Sequence, residues 1–279
     1  MKQKRKISRV IRAENTSDGA GVRLKRSIGL PDVDYIDPFL LLDEFSSDSP
    51  DDYIAGFPSH PHRGFETVTY MLNGSMKHED SAGNSGILET GSVQWMTAGR
   101  GIIHSEMPMQ KNGLMRGFQL WVNLPAQHKM MPPRYQDIAP QQVPEIKREN
   151  GVVIRILAGE AEGVRGPVEG IITEPVYLDV TMPPHTDWSH DLPDGHCAFA
   201  YPFEGEVDFG AGMVKKSNLV EFATSGVMEA KTGKEGGRFI LLAAKPLGEE
   251  IYRHGPFVMT TRDEILQAIE DYNKGRFVQ

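Results

Sequence analysis

The sequence predicts an all-β protein built as two tandem barrels with a single C-terminal α-helix. Three observations carry that prediction. Short apolar runs ("VTYML", "SVQWM", "FQLWVNL", "VVIRIL", "VYLDVTM") recur between clusters of glycine, proline, asparagine and aspartate, the spacing of a sandwich or barrel. No strand–helix–strand rhythm interrupts them, which argues against a parallel α/β sheet. At 279 residues the chain is long enough for two ordinary domains, each able to bury a core.

Taken in order, the amino terminus "MKQKRKISRVIRAENTSDG" is basic but lacks an apolar block, so it does not read as a signal peptide. Its cluster Lys2, Lys4, Arg5 and Lys6 reads as a solvated chain end rather than a nuclear address. Residues 1–130 are expected to form the first barrel. The stretch 124–150, "LPAQHKMMPPRYQDIAPQQVPEIKREN", holds five prolines and little periodicity, so 131–150 is expected to be an extended crossover linker. Residues 151–279 are then the second barrel, ending in the one convincing helix, "TRDEILQAIEDYNKGRF". There Thr261 and Glu264 have capping-box spacing, and Ile265, Ile269 and Tyr272 recur on one face.

Composition narrows the function classes. Lysine plus arginine total 30 against 38 aspartate plus glutamate, and the net charge of −8 disfavours direct nucleic-acid binding. No stretch approaches a membrane span, so no membrane partner is expected. The single Cys197 cannot form an intramolecular disulfide, which fits a reducing, cytoplasmic setting.

The chemistry concentrates in "FPSHPHRGFETVTYML" (57–72), where His60 and His62 are spaced i, i+2 and leave the same face of a strand. Pro61 cannot donate to a ladder and belongs at a strand entrance, which puts the histidines at a barrel rim. If 60–72 is continuously extended, Gly64, Glu66, Val68, Tyr70 and Leu72 share their face. A second i, i+2 pair, His104 and Glu106, stands in "TAGRGIIHSEMP". One HxH alone is ordinarily a hydrogen-bonded strand end. Two pairs on neighbouring strands bring three imidazoles and a carboxylate together, a set that suits zinc, copper, iron or nickel. Parity leaves Glu66 and Glu106 as rival carboxylates. In the second half His185, His190 and His196 include no i, i+2 pair and are expected to hold no metal; His128 and His254 read as structural, and His78 as strand-surface polar.

"GFPSHPHRGFETVTYMLNGSMKHEDSAGN" followed by "VQWMTAGRGIIHSEMP" resembles the pirin family, and the likeness extends to "DPFLLLDEF" (37–45), "LWVNLP" (120–125), "PRYQ" (133–136) and "GPFVMTT" (255–261). The resemblance implies two cupin (double-stranded β-helix, jelly-roll) barrels, with a metal only in the first. It implies ligation by His60, His62, His104 and Glu106, with Glu66 not a ligand. Fe(II) is the expected metal, with Zn, Cu, Ni or Mn as alternatives.

The implied activity is that of a quercetin 2,3-dioxygenase, in which O2 opens the central ring of a flavonol and carbon monoxide leaves, with Glu106 also the catalytic proton acceptor. Phe57, Met71, Trp95 and Met96 are candidates for the apolar wall of such a pocket. The family also implies an alternative: a redox-responsive regulatory protein that binds a transcription factor or a metabolic enzyme, with a nuclear location if the source is eukaryotic. A sugar-phosphate isomerase would instead need a basic cradle, for which Arg63 and Arg100 are placed beside the motifs.

Overall fold

The protein is described here by a computed structural model covering residues 3–278. Among these, the residues of Asn15–Pro140 and Leu247–Gln279 form one compact unit, and those of Met1–Glu14 and Gln141–Pro246 form the other. Both units are β-built, and both are discontinuous in sequence. The division into contiguous blocks at 1–130 and 151–279 is therefore not how the contacts fall. The C-terminal segment belongs with the first barrel, and the amino-terminal strand Ile7–Arg12 pairs with Asn218–Phe222 of the second.

The first barrel consists of two antiparallel sheets. One orders Phe57–His62, Ile102–Pro108, Met76–Asp80 and Ser85–Leu88; the other orders Arg134–Ile138, Val93–Thr97, Phe65–Asn73, Met115–Asn123, Phe39–Ser47, Val22–Ile28 and Glu14–Asp18. Phe57–His62 is an edge strand, the position that tolerates Pro58 and Pro61, neither of which has an N–H to give. Between the sheets Phe45, Met71, Met76, Met115 and Leu88 form a buried cluster against which Phe57 packs.

A corner at Arg63–Gly64 carries the chain from one sheet to the other. Gly64 adopts φ +88°, and a Cβ there would lie 1.9 Å from Val258 O. The corner is held by the buried Lys129, whose Nζ donates to Gly64 O (2.8 Å), Asn123 Oδ1 (2.7 Å) and Val258 O (3.0 Å). Three acceptors for three ammonium donors leave none of its hydrogens idle.

The helix Arg262–Asn273 has the reciprocal cap expected at Thr261 and Glu264. Ile265, Ala268 and Phe277 join Phe257 and Met259 in a buried cluster on this barrel, with Ile103 and Ile269 packed against it. Tyr272, expected on the apolar face, is 41% exposed; Ala268 takes the inner position.

The segment 131–150 is more regular than a crossover linker. Arg134–Ile138 pairs with Val93–Thr97, and Glu145–Lys147 pairs with Val153–Ala158 of the second barrel. In that barrel Ile154, Leu178, Val180, Phe239 and Leu241 are among the fully buried core. Nor is the basic amino terminus a solvated end. Arg5 is 1% exposed and donates to the carbonyls of Pro193, His196, Ala223 and Gly226, while Lys4 pairs with Glu229 at 2.9 Å. Lys2 lies outside the described residues. Among the described residues no helix is long and apolar enough to cross a membrane.

Candidate metal centre

The two i, i+2 pairs lie on adjacent antiparallel strands. In register, His104 faces His60 and Ile102 faces His62, with a bulge between His104 and Glu106. The imidazoles converge: ring centroids are 4.6 Å apart for His60–His62, 4.5 Å for His60–His104 and 5.0 Å for His62–His104. Among the described residues these three are the one group of metal-ligating side chains whose donor atoms all lie within 4.8 Å of one another.

Their nitrogens are available for a cation. His60 Nδ1 lies 2.8 Å from Pro58 O, a contact that requires the N–H on Nδ1 and leaves Nε2 as a lone pair. That Nε2 stands 2.9 Å from His62 Nε2. Both nitrogens of His104 are buried without a hydrogen-bond partner, while the His62 ring meets the backbone of Pro256. Desolvation holds His62 and His104 well below the usual imidazole range, and the neighbouring histidines push the same way. Neutral imidazoles with unpaired buried nitrogens each cost about 1–3 kcal/mol. A transition ion would take one nitrogen from each ring, so this group is able to hold a metal.

Glu106 is 3% exposed, two residues along the His104 strand. Its Oε1 accepts from Thr69 Oγ1 at 3.0 Å, and Thr69 Oγ1 lies 2.7 Å from Gln119 Oε1. One hydroxyl hydrogen serves one acceptor, so the row Gln119, Thr69, Glu106 is satisfied when the amide presents its NH2 to Thr69. Burial raises the Glu106 carboxyl above the ordinary range.

Glu66 is elsewhere, contrary to the parity that made it a rival. The Gly64 corner breaks the strand, so the register does not carry through from His62. Thr69, not Glu66, reaches Glu106, and residues three apart in a strand point to opposite faces. Glu66 instead accepts from Thr97 Oγ1 at 2.6 Å, and burial pushes it up to about 7.

A cavity of about 600 Å³ opens onto His60, His62, Glu106 and Gln119. Of the four residues expected to wall it, Phe57 does; Met71 packs in the core instead, and Trp95 and Met96 do not line it. Trp121, Leu41 and Pro256 are the other apolar walls. Trp121 stands edge-on to His62, with ring centroids 5.3 Å apart.

Three placements escaped the sequence reading. His78 is not strand-surface polar but 1% exposed; it faces Glu106 across the ladder, with Nε2 3.4 Å from Asp137 Oδ2 and its ring stacked on Tyr135. Trp121 carried a usable signal, the strand-like run "FQLWVNL", but nothing in it fixed the face. Arg253 reaches the same cavity from the hairpin in which Tyr252–His254 pairs with Phe257–Met259, and its distance along the chain hid it. His185, His190 and His196 of the second barrel do not assemble; His190 stacks on Trp188.

The family model described as Pirin matches residues 21–122, and the Pirin C-terminal cupin domain matches residues 177–278. The chain belongs to the pirin family. A Pseudomonas aeruginosa pirin relative named "putative quercetin 2,3-dioxygenase" is 50% identical over 93% of each chain. Human pirin is 40% identical over 99% of this chain and 95% of its own. A solved quercetin 2,3-dioxygenase from Acinetobacter baumannii matches this pirin with a TM-score of 0.92 at 32% identity, covering 99% of this chain and 100% of that one.

Proposed function

We propose that the first barrel is the active site of a metal-dependent dioxygenase acting on flavonol-like substrates, with His60, His62, His104 and Glu106 as the metal ligands. The observation that carries this reading is the convergence of His60, His62 and His104, whose ligating atoms lie within 4.8 Å of one another, beside an apolar-walled cavity that His60 and His62 line. The likeness to quercetin 2,3-dioxygenases supports the substrate class. Fe(II) is the proposed metal, with Zn, Cu, Ni or Mn able to occupy the same nitrogen and oxygen donors. When bound, the metal supplies Lewis acidity and open positions for substrate and O2.

The chain's own residues do the rest. The Pro58 carbonyl fixes the His60 tautomer, so that its Nε2 lone pair faces the site. Thr69 orients the Glu106 carboxylate, which is placed to accept the proton of a substrate hydroxyl. Phe57, Leu41 and Trp121 bind the aromatic rings and keep water out.

The isomerase alternative loses one of the two arginines of its cradle. The Arg63 guanidinium is committed to Asp271, Arg100 O and Phe277 O, and it stacks on Phe277.

The test is turnover of quercetin by iron-loaded protein with one carbon monoxide released per substrate. Full activity in a His62→Ala variant that binds no metal would overturn the reading. Likeness to human pirin keeps a redox-responsive regulatory role as the second reading. It predicts a captured-protein set that changes between reduced and oxidised protein.

A further inference from the structure

The cavity above the histidines holds two arginines whose circumstances differ. Arg26 is paired with two carboxylates: Nε and Nη2 clasp both oxygens of Asp43 at 2.8 and 2.7 Å, and Nη2 also meets Asp18 at 2.7 Å. Those two carboxylates, the cavity's acidic groups apart from Glu106, are thereby consumed.

Arg253 is half-buried in the wall, with its guanidinium 4.9 Å from the Trp121 ring centre and one hydrogen bond, from Nη1 to Leu40 O at 3.3 Å. Among the described residues no carboxylate lies within ion-pair distance of it, although Asp34, Asp43 and Asp18 act on it through space. The contrast with the other sequestered arginines is plain. Arg5 has four carbonyl acceptors, and Arg63 has a carboxylate and two carbonyls.

A guanidinium carries five donors and stays charged at any physiological pH. Arg253 is half-buried and none of its nitrogens is a buried atom without a partner, so water reaches the unused donors, and an anionic oxygen entering the cavity can replace that water with charge-assisted hydrogen bonds. Stacking on Trp121 accounts for the plane of the group but not for its free edge.

We propose that Arg253 is a specificity-determining residue that binds an anionic oxygen substituent, a carboxylate or an ionised phenol, on an aromatic substrate. Arg253 and His62 meet the same indole, one at 4.9 Å from its centre and the other at 5.3 Å ring to ring. Arg253, His60, His62 and Glu106 line one cavity, so a ligand held there borders both the guanidinium and the histidine group. The substrate class is a planar phenol or enol that carries a second, anionic oxygen group. Bidentate carboxylate recognition by arginine supplies both affinity and orientation, since a charge-assisted pair holds the aromatic plane in one register. The inference rests on the reading of this cavity as the substrate pocket.

The experiment compares two probes with the same aromatic ring, one ending in a carboxylate and one in a neutral ester, 4-hydroxycinnamate and its methyl ester, by calorimetric titration of zinc-loaded protein. The acid is expected to bind about tenfold more tightly than the ester, a ratio of the size charge-assisted hydrogen bonds give. Arg253→Met should bring the ratio to about one by weakening the acid alone, and Arg253→Lys should restore part of it, with metal content and melting temperature recorded for each.

A ratio of one in the unaltered protein, no binding of either probe, or an undiminished ratio in Arg253→Met would each overturn the proposal. The unaltered protein decides the first two outcomes even if the methionine variant fails to fold. Quercetin turnover assayed in parallel separates the two readings. Absence of carbon monoxide with the charge ratio intact removes the dioxygenase but leaves the anion site; carbon monoxide with a ratio of one removes the anion site alone.

Discussion

Arg63 Nη1 lies 2.8 Å from Asp271 Oδ2, which ties the residue immediately after His62 to the last turn of the C-terminal helix. The arginine side chain is 5% exposed and the aspartate 19%, so the pair is sheltered from screening. Asp271→Asn should therefore cost about 1–3 kcal/mol at neutral pH, more than a surface pair would. Urea unfolding at pH 7 checks the value.

The same pair sets an acid limit. The hydrogen bond from Arg63 holds the Asp271 carboxyl below its usual range. A folded-state pKa depressed in this way contributes stability that is complete above the unfolded value of about 3.9 and is lost as pH falls through the folded value. The stability difference between the unaltered protein and Asp271→Asn should be constant from pH 7 to about 5 and shrink below about 4. Unfolding midpoints measured across that range give the curve; a difference that grows in acid would contradict it.

Removing one imidazole should abolish the metal group rather than weaken it slightly, because the remaining donors no longer surround one point. His62→Ala and His104→Ala are expected to purify with less than a tenth of the metal of the unaltered protein by elemental analysis. The unaltered protein should gain about 2.7 kcal/mol of stability at free metal one hundredfold above the dissociation constant, and the variants should gain none.

Thr69→Val removes the one hydroxyl that orients Glu106. The carboxylate loses a donor that favours its ionised form, so its proton affinity rises further, and metal affinity should fall about 10- to 100-fold. Competition against a coloured chelator measures the change. Gln119→Leu, one step farther along the row, should have the smaller effect.

Gly64→Ala tests the corner. The added methyl group would meet Val258 O at 1.9 Å and Met259 Sδ at 2.8 Å, at a backbone angle L-residues avoid. A loss of more than about 3 kcal/mol is expected, read as a lowered unfolding midpoint or as insoluble expression.

What the sequence disclosed follows from what is local. Alternation and turn residues spelled out the strands, the Thr261–Glu264 spacing placed the helix, and the two i, i+2 pairs named the histidines that meet. What it concealed is non-local. Glu66 looked inward only while the strand was assumed to run through Gly64, and a single left-handed glycine reversed the faces beyond it. His78 resembled a surface residue because its neighbours Lys77 and Glu79 are charged, yet its own position in the ladder opposite Glu106 buries it. Arg253 and Trp121 meet across more than 130 residues of chain, and no periodicity within either segment predicts a partner in the other.

The exchange of chain ends between the barrels has a consequence for biosynthesis. As a nascent chain leaves the ribosome, all four proposed ligands emerge well before Val258, which accepts from Lys129 at the Gly64 corner, and Asp271, which clamps Arg63. Domains tend to fold as their sequence is delivered. Here the barrel that carries the three histidines must wait until synthesis has passed Asp271, and a product terminated before that point would display its histidines on an unfinished scaffold.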